Sequence, residues 1–262
     1  MLSPLYGQLS PLRVPTTDIA MLAAKAYIAA VEAADGQSLE SGVKSAFTDF
    51  IVGCHNDGIW SALKASCILA GARTLNGALV PLVGTAPTNS NFVTADYNRK
   101  TGLKGDGTTK FLSANRNNNA DPQNSKHVSV NLSEMHTGTA SQWFIASGDS
   151  GAGHCAILFG SASYRFNSIN GSGLTSNVSP SSGFKGANRN NSASFERRNA
   201  TSTLTVTDQS RTPLNAAFNV FRRASGNYTN ARLSFYSIGE SLDLALLDTR
   251  VSTLMTDLAA AI

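Results

Sequence analysis

The sequence predicts a mainly β protein, a sandwich or barrel of short strands that is preceded by helices and closed by a C-terminal helix. After Gly71, short apolar segments alternate with clusters of Gly, Asn, Ser and Pro. Before Gly71 and again after Ser241, apolar residues recur at helical spacing. The length of 262 residues suits one β-domain with an appendage.

Residues 1–17 are predicted to form an extended anchoring arm. Pro4, Pro11 and Pro15 disfavour helix. The apolar side chains between them need a partner, and the candidate subunit-anchoring residues are Leu2, Leu5, Tyr6, Leu9 and Leu12. That partner is either another protein of an assembly or the arm's own domain.

Residues 18–75 are predicted to form a small helical subdomain. Asp18 is a suitable cap for a first helix, which the Asp35-Gly36 pair ends. Two further helical segments are predicted over residues 38–52 and 57–69. Trp60 is most simply part of the core of this subdomain.

Residues 76–262 are predicted to form the β-sandwich and the closing helix. The predicted strands cover residues 92–95, 109–112, 127–132, 142–146, 156–159, 164–169, 183–187, 193–197, 203–206, 218–222 and 231–237. At the end of the last strand, Gly239 is predicted to permit a turn, and Ser241 to cap the helix that follows.

The C-terminal helix carries an apolar seam with two interpretations. The spacing of its apolar residues could pair helices between subunits, with an oligomer interface at Leu247, Val251, Leu254 and Leu258. Alternatively, the helix packs back on its own sandwich, because fewer than about three heptads make a marginal coiled coil.

Composition narrows the function classes. Charged residues make up only 15% of the chain, so Asn, Ser, Thr and Gly cover a surface that suits assembled or sugar-facing β-proteins. The net charge is +4, but the arginine pairs Arg197-Arg198 and Arg222-Arg223 lie in no longer basic run, so no nucleic-acid partner is expected. No secretory signal or apolar span is visible, which predicts cytoplasmic synthesis and no membrane insertion.

Two stretches resemble a known family. The segment from Asp96 to Asn119 and the segment from Phe235 to Asp243 resemble tailed-bacteriophage virion structural proteins that carry a concanavalin A-like (laminin G-like) jelly-roll domain. The resemblance implies a component of a tail, neck or head appendage or fibre that sits in the virion after synthesis in the host cytoplasm. It also implies other virion proteins as partners and a homo-oligomer, with a trimer favoured.

The sequence offers little for catalysis, so the protein is predicted not to be an enzyme. Jelly-roll hydrolases place two acids on one strand face, whereas Glu134, Glu196 and Glu240 are isolated. No metal site is predicted and no cofactor is expected. Calcium stays open at Asp106 and Asp149, although their Gly-rich surroundings are better explained by turn geometry.

Sugar binding is the alternative to a purely structural role. Carbohydrate sites combine aromatic platforms with amide and hydroxyl groups. The candidate ligand-binding residues are Tyr97, Trp143, Tyr164 and Tyr228, with the Asn-rich loops around them. On this interpretation the domain is a lectin-like host-recognition module, and its partner is a host-surface glycan.

Overall fold

The structure, a computed structural model, describes residues 16–149, 151–160, 163–170, 175–178 and 181–262. Almost all of the predicted arm lies outside the described residues, together with Leu2, Leu5, Tyr6, Leu9 and Leu12. Thr16 and Thr17, its last two residues, already belong to a helix. No helix within the described ranges is both long enough and apolar enough to cross a membrane.

The described residues form a mainly β chain with a closing helix, as predicted. The helices are α1 (Thr16–Asp35), α2 (Ser41–Asn56), α3 (Leu75–Ala78) and α4 (Leu244–Ala261). The strands are β1 (Leu63–Ile68), β2 (Thr88–Ser90), β3 (Tyr97–Asn98), β4 (Gly102–Lys104), β5 (Phe111–Asn117), β6 (Lys126–Glu134), β7 (Gln142–Ser147), β8 (Cys155–Gly160), β9 (Ser163–Ser168), β10 (Thr175–Val178), β11 (Gly183–Arg189), β12 (Ser194–Asn199), β13 (Ser202–Thr207), β14 (Ala217–Val220) and β15 (Arg232–Gly239).

These strands form two antiparallel sheets. In the first sheet the order is β13-β12-β11-β6-β15-β4-β3, and β1 also pairs with β15. In the second sheet the order is β10-β9-β8-β7-β14-β5-β2. The loop from β14 to β15 therefore crosses from the second sheet to the first.

The register shows which face of the second sheet is buried. Leu112, Val220, Ile145, Ile157 and Phe166 pair in one row across five strands, and all are fully buried in the core between the sheets. Because side chains alternate along a strand, the neighbouring row points away from that core. This outer row consists of Ser113, Asn219, Ala146, Ala156 and Asn167.

A second core joins the helices to the outer face of the first sheet. Its apolar residues come from α1, α2 and α4 and from the strands β1, β11 and β15. Phe50 of α2 meets Phe235 of β15 edge to face, with ring centroids 5.8 Å apart. The helices thus cover one sheet, while the second sheet turns its outer face away from them.

The seam of α4 lies inside this second core, which corrects the prediction of an oligomer interface at these residues. Leu247, Val251, Leu254 and Leu258 are at most 2% exposed and pack against the chain's own helices and sheet. Side chains buried in this way could contact another subunit only if the helix detached from its own domain. The alternative interpretation, self-packing of the helix, is confirmed.

The predicted third helical segment over residues 57–69 is a further correction. Residues Trp60–Ala62 form a single 3-10 turn, and β1 follows. Ala65 and Cys67 face the core between the sheets, whereas Leu63 and Ile68 face the helices. In a short apolar run that is buried on both faces, apolar residues do not alternate with polar ones, so the sequence pattern cannot distinguish a strand from a helix. The predicted strand over residues 92–95 is also wrong, because Thr94–Asp96 forms a 3-10 turn.

Two details of the chain end differ from the prediction. Gly239 lies in β15 and makes no turn, but a Cβ there would lie 2.0 Å from the carbonyl oxygen of Ala62, so the close approach of β1 requires glycine. Asp243 rather than Ser241 caps α4, because its carboxylate accepts from the backbone N–H groups of Ala245 and Leu246 at 2.7 and 3.1 Å.

His127 of β6 makes folding sensitive to acid. Its Nδ1 lies 2.6 Å from the carbonyl oxygen of Glu240 and its Nε2 lies 2.8 Å from the Ser237 hydroxyl. Since a carbonyl oxygen only accepts, Nδ1 carries the proton and the neutral ring accepts from Ser237. Burial lowers the pKa of His127 to about 4, although the bond to Glu240 acts in the opposite direction.

We expect stability to fall as the pH drops from about 6.5 to about 4, because the unfolded chain then binds a proton that the folded chain excludes. The full contribution is about 3 kcal/mol. Urea unfolding across this pH range should show the loss, and the slope should be smaller in His127→Gln. An equal slope in both proteins would assign the acid sensitivity to other groups.

Candidate functional site

Residues 221–231, which join β14 to β15, form a loop at one end of the sandwich. Val220, the last residue of β14, pairs with Leu112 and Ile145 near the starts of β5 and β7. The loop therefore lies over the starting residues of both neighbouring strands. It gathers arginine and aromatic side chains that are far apart in the sequence.

Phe221 sets the direction of the loop. Its φ is +75°, a left-handed conformation that is strained for a bulky residue. The ring is fully buried and meets Phe92 edge to face at 4.9 Å. Its N–H donates to the carbonyl of Phe144, and its carbonyl accepts from Thr229. These contacts hold the strained residue, and Arg222 follows directly outside the core.

The side chains of Asp149 and Gln142 hold the rest of the loop by hydrogen bonds. The Asp149 carboxylate accepts from the Ser225 N–H at 2.5 Å. The pKa of Asp149 is lowered, mainly by hydrogen bonding to the Ser225 side chain and further by this backbone bond. The Gln142 carbonyl oxygen accepts from the Thr229 hydroxyl at 2.7 Å and from the Asn230 N–H at 3.0 Å. The loop is thus fixed at its start, middle and end, which favours a preorganised surface.

Phe111, Arg222 and Tyr228 form a half-buried group that we call the aromatic–arginine cluster. The Arg222 guanidinium carbon lies 3.4 Å above the centroid of the Phe111 ring and 5.5 Å from that of Tyr228. Nη1 of Arg222 also donates to the Tyr228 hydroxyl at 3.0 Å. The two rings meet edge to face at 6.3 Å. Stacking and hydrogen bonding therefore hold the guanidinium in a fixed orientation.

Arg223 repeats this arrangement over a second ring. Its guanidinium carbon lies 5.2 Å from the centroid of Trp143, which packs with Ala146 and Ala156 on the outer side of the second sheet. Phe111, at the start of β5, is half-buried and also packs against the core between the sheets. One strand, β14, separates β5 from β7. Both guanidiniums thus belong to the one loop that follows β14.

The charge of these arginines is not matched by a carboxylate. Within the described ranges, neither Arg222 nor Arg223 has a carboxylate oxygen within ion-pair distance, and the Asp149 carboxylate binds Ser225 instead. The nearby cation Lys110, by contrast, pairs with Asp96 at 2.6 Å. The two arginines therefore have no carboxylate in direct ion-pair contact, although the Asp149 carboxylate lies close enough for both guanidiniums to help lower its pKa.

The structure separates the four predicted ligand-binding residues. Tyr228 belongs to the aromatic–arginine cluster, and Trp143 lies beneath Arg223 with 5% of its surface exposed. Tyr97 is elsewhere, and its hydroxyl donates to the carbonyl of Ala72 at 2.7 Å. Tyr164 is fully buried and donates to the carbonyl of Ser181, so it cannot act as a surface platform.

Sequence reasoning missed Phe111, Arg222 and Arg223 as site residues. In the sequence, Arg222 and Arg223 are only a short basic run and Phe111 lies in a predicted strand, so neither pattern marks a site. The Gly226-Asn227-Tyr228 turn after the two arginines was the available signal of an exposed loop.

The acidic turn residue Asp106 serves its own loop. Its carboxylate accepts from the N–H groups of Thr108, Thr109 and Lys110 and from the Thr109 hydroxyl, and these bonds lower its pKa against the effect of burial. This is the role of an Asp in a turn. Across the part of the chain that the structure describes, no group of three or more His, Cys, Asp or Glu side chains could hold a metal ion.

Comparison with solved structures identifies the fold as a concanavalin A-like jelly roll. The binding domain of botulinum neurotoxin serotype D matches 73% of this chain with a TM-score of 0.51 and 10% identity. The match spans about half, 51%, of that toxin chain. The CBM40 of the Ruminococcus gnavus IT-sialidase, bound to α2,3-sialyllactose, matches 49% of this chain and covers 83% of its own, with a TM-score of 0.39 and 7% identity.

A third similar structure is the enzymatically active domain of tailspike protein 2 from bacteriophage CBA120. It matches 66% of this chain and 29% of its own, with a TM-score of 0.41 and 12% identity. No protein-family profile matches the sequence, and no curated protein matches it. At these identities the similarity concerns the fold.

Proposed function

We propose that this protein is a glycan-binding module that recognises host-surface carbohydrate through the aromatic–arginine cluster. The observation that carries the proposal is the geometry of Phe111, Arg222 and Tyr228, which offers aromatic faces and fixed hydrogen-bond donors on a pinned loop. Sugars are bound by this combination, because C–H faces pack on rings while hydroxyl groups bond to oriented polar groups.

The setting that we propose is the bacteriophage virion, where the module acts as a non-enzymatic structural component. The sequence resemblance to phage virion proteins supports this setting, and the jelly-roll fold agrees with it. The fold match to a toxin's binding domain supports a recognition role over a purely structural one. Fold alone does not assign activity, so the site carries the argument.

Two features support binding rather than catalysis. Glu134 forms ion pairs with Lys104 and Arg232 at 2.5 and 3.3 Å, and Glu240 pairs with Lys64 at 3.0 Å. These acids are thus engaged with cations instead of facing each other across a groove, as a glycosidase requires. Incubation with host polysaccharides should release no reducing ends.

Binding to host lipopolysaccharide and capsular polysaccharide tests the proposal directly. Calorimetry should detect binding by the wild-type chain, and Tyr228→Ala should weaken it about tenfold to a hundredfold, since it removes a ring and orienting hydroxyl. Trp60→Ala is the matched control, because Trp60 is a half-buried aromatic residue beside the helices. Binding that survives Tyr228→Ala unchanged would contradict the assignment of the site.

A further inference from the structure

We infer that the ligand of this surface is an acidic glycan, whose carboxylate or phosphate group binds between Arg222 and Arg223. This inference rests on the proposed function and adds the chemical class of the sugar. It follows from three properties of the loop between β14 and β15: the absence of a carboxylate paired with its two arginines, the contacts that hold their guanidiniums, and the small number of its basic residues.

The first property is charge. Lys110 is neutralised by Asp96, whereas the two arginines have no ion-pair partner among the described residues. Two like charges on consecutive residues repel each other, and an anion between them relieves that repulsion. A neutral sugar gives no such relief, so charge selects an acidic ligand over a neutral one.

The second property is orientation. The Arg222 guanidinium lies over the Phe111 ring and the Arg223 guanidinium over the Trp143 ring, and the hydroxyl of Tyr228 holds one end of Arg222. A fixed planar fork matches the two oxygens of a carboxylate or phosphate, and charged hydrogen bonds of this kind are stronger than neutral ones. A pair of lysines would supply the same charge but not the two parallel N–H groups of a planar guanidinium.

The third property is extent. Tracking a nucleic-acid backbone needs a row of phosphate contacts, but the loop offers two arginines without an ion pair among the residues that the structure describes. One anionic group on a sugar needs no more than that, and the half-buried ring of Tyr228 beside the arginines can contact the sugar itself. The observations therefore favour a charged polysaccharide over a nucleic acid.

The test compares polygalacturonate with its methyl ester, which has the same backbone without the charge. We expect the acid form to bind at least about tenfold more tightly, with an affinity that falls as salt is added. A phosphorylated mannan, which carries phosphate instead of carboxylate, is the second charged polymer. If polygalacturonate binds more tightly the preferred group is a carboxylate, and if the mannan binds more tightly it is a phosphate. Either result supports the inference.

Substitutions test whether the two arginines cause the preference for the acid form. Arg222→Gln with Arg223→Gln should reduce binding of the acid form about tenfold or more, while Arg211→Gln, which removes an exposed arginine outside the loop, should change it less than about twofold. Asp149→Asn keeps the oxygen that accepts from Ser225 and removes a negative charge, so it should tighten binding even if the double variant folds poorly.

The outcomes separate this inference from the proposed function. Equal binding of the acid and ester forms, lost in Tyr228→Ala but unaffected by the arginine substitutions, would overturn the acidic ligand and keep the glycan site. Binding of a single-stranded oligonucleotide as tightly as the acid polymer would also overturn the inference, since the surface would then take any polyanion. If the wild-type protein bound none of the polysaccharides, both the acidic-ligand inference and the proposed glycan-binding function would be overturned.

Discussion

Leu258→Asp in α4 is expected to unfold the protein. Leu258 is fully buried, and its side chain packs against Phe47 and Gly71. The substitution removes apolar burial worth about 2–3 kcal/mol and places an unpaired carboxylate among apolar groups, so the total loss is at least about 4 kcal/mol. Natural domains have about 5–15 kcal/mol of stability in total, so the substitution removes a large part of it and unfolds a domain at the lower end of that range.

Denaturant unfolding and light scattering measure this result. Leu246→Asp is the matched control, because it makes the same change in the same helix at a residue that is 37% exposed. That variant should lose less than about 1 kcal/mol. If Leu258→Asp with Leu254→Asp instead gave a folded monomer of unchanged stability, the seam would belong to a subunit interface after all.

Asp248→Ala is expected to cost about 3–5 kcal/mol, because it leaves a buried arginine unpaired. Nε of Arg198 donates to the Asp248 carboxylate at 2.7 Å, and both residues are at most 9% exposed. Nη1 of Arg198 donates to the Thr203 hydroxyl, while the second oxygen of Asp248 accepts from Ser252. The pair links β12 to α4, so its loss loosens the helix from the first sheet.

A double-mutant cycle distinguishes charge from packing. Replacing both partners, Arg198→Met with Asp248→Leu, should recover part of the loss, since Arg198 is then no longer left unpaired. The recovery is incomplete because the buried Lys185 also loses the attraction of Asp248. The pair Lys104 and Glu134, whose side chains are 40% and 46% exposed, is the control, and Glu134→Ala should cost less than about 1 kcal/mol. Equal costs at the two sites would mean that burial does not govern the Arg198 pair.

The sequence by itself determined the secondary structure of segments whose pattern of apolar residues fits only a strand or only a helix. Short apolar segments between Gly, Asn, Ser and Pro clusters predicted strands such as β6, β11 and β13, and helical spacing predicted α1, α2 and α4. These patterns are local, because each involves only residues that are neighbours in the sequence. The prediction of a mainly β chain closed by a helix therefore needed no knowledge of which strands pair.

The tertiary structure decided whatever depended on two distant segments meeting. It made residues 63–68 a strand, because that run is buried by the sheet core on one face and by the helices on the other. It placed the seam of α4 against the chain's own α2, a choice that an apolar stripe leaves open. It buried Tyr164 and left Tyr228 half-exposed, although both tyrosines follow polar, turn-rich segments.

The candidate site shows the same division most clearly. The sequence contains Arg222 and Tyr228 in one loop, but Phe111 lies more than a hundred residues earlier and Trp143 is in another strand. The pairing of β14 with both β5 and β7 brings these rings beneath the arginines. Strand order and register depend on the packing of the whole sandwich, so no local pattern in the sequence could have predicted this cluster.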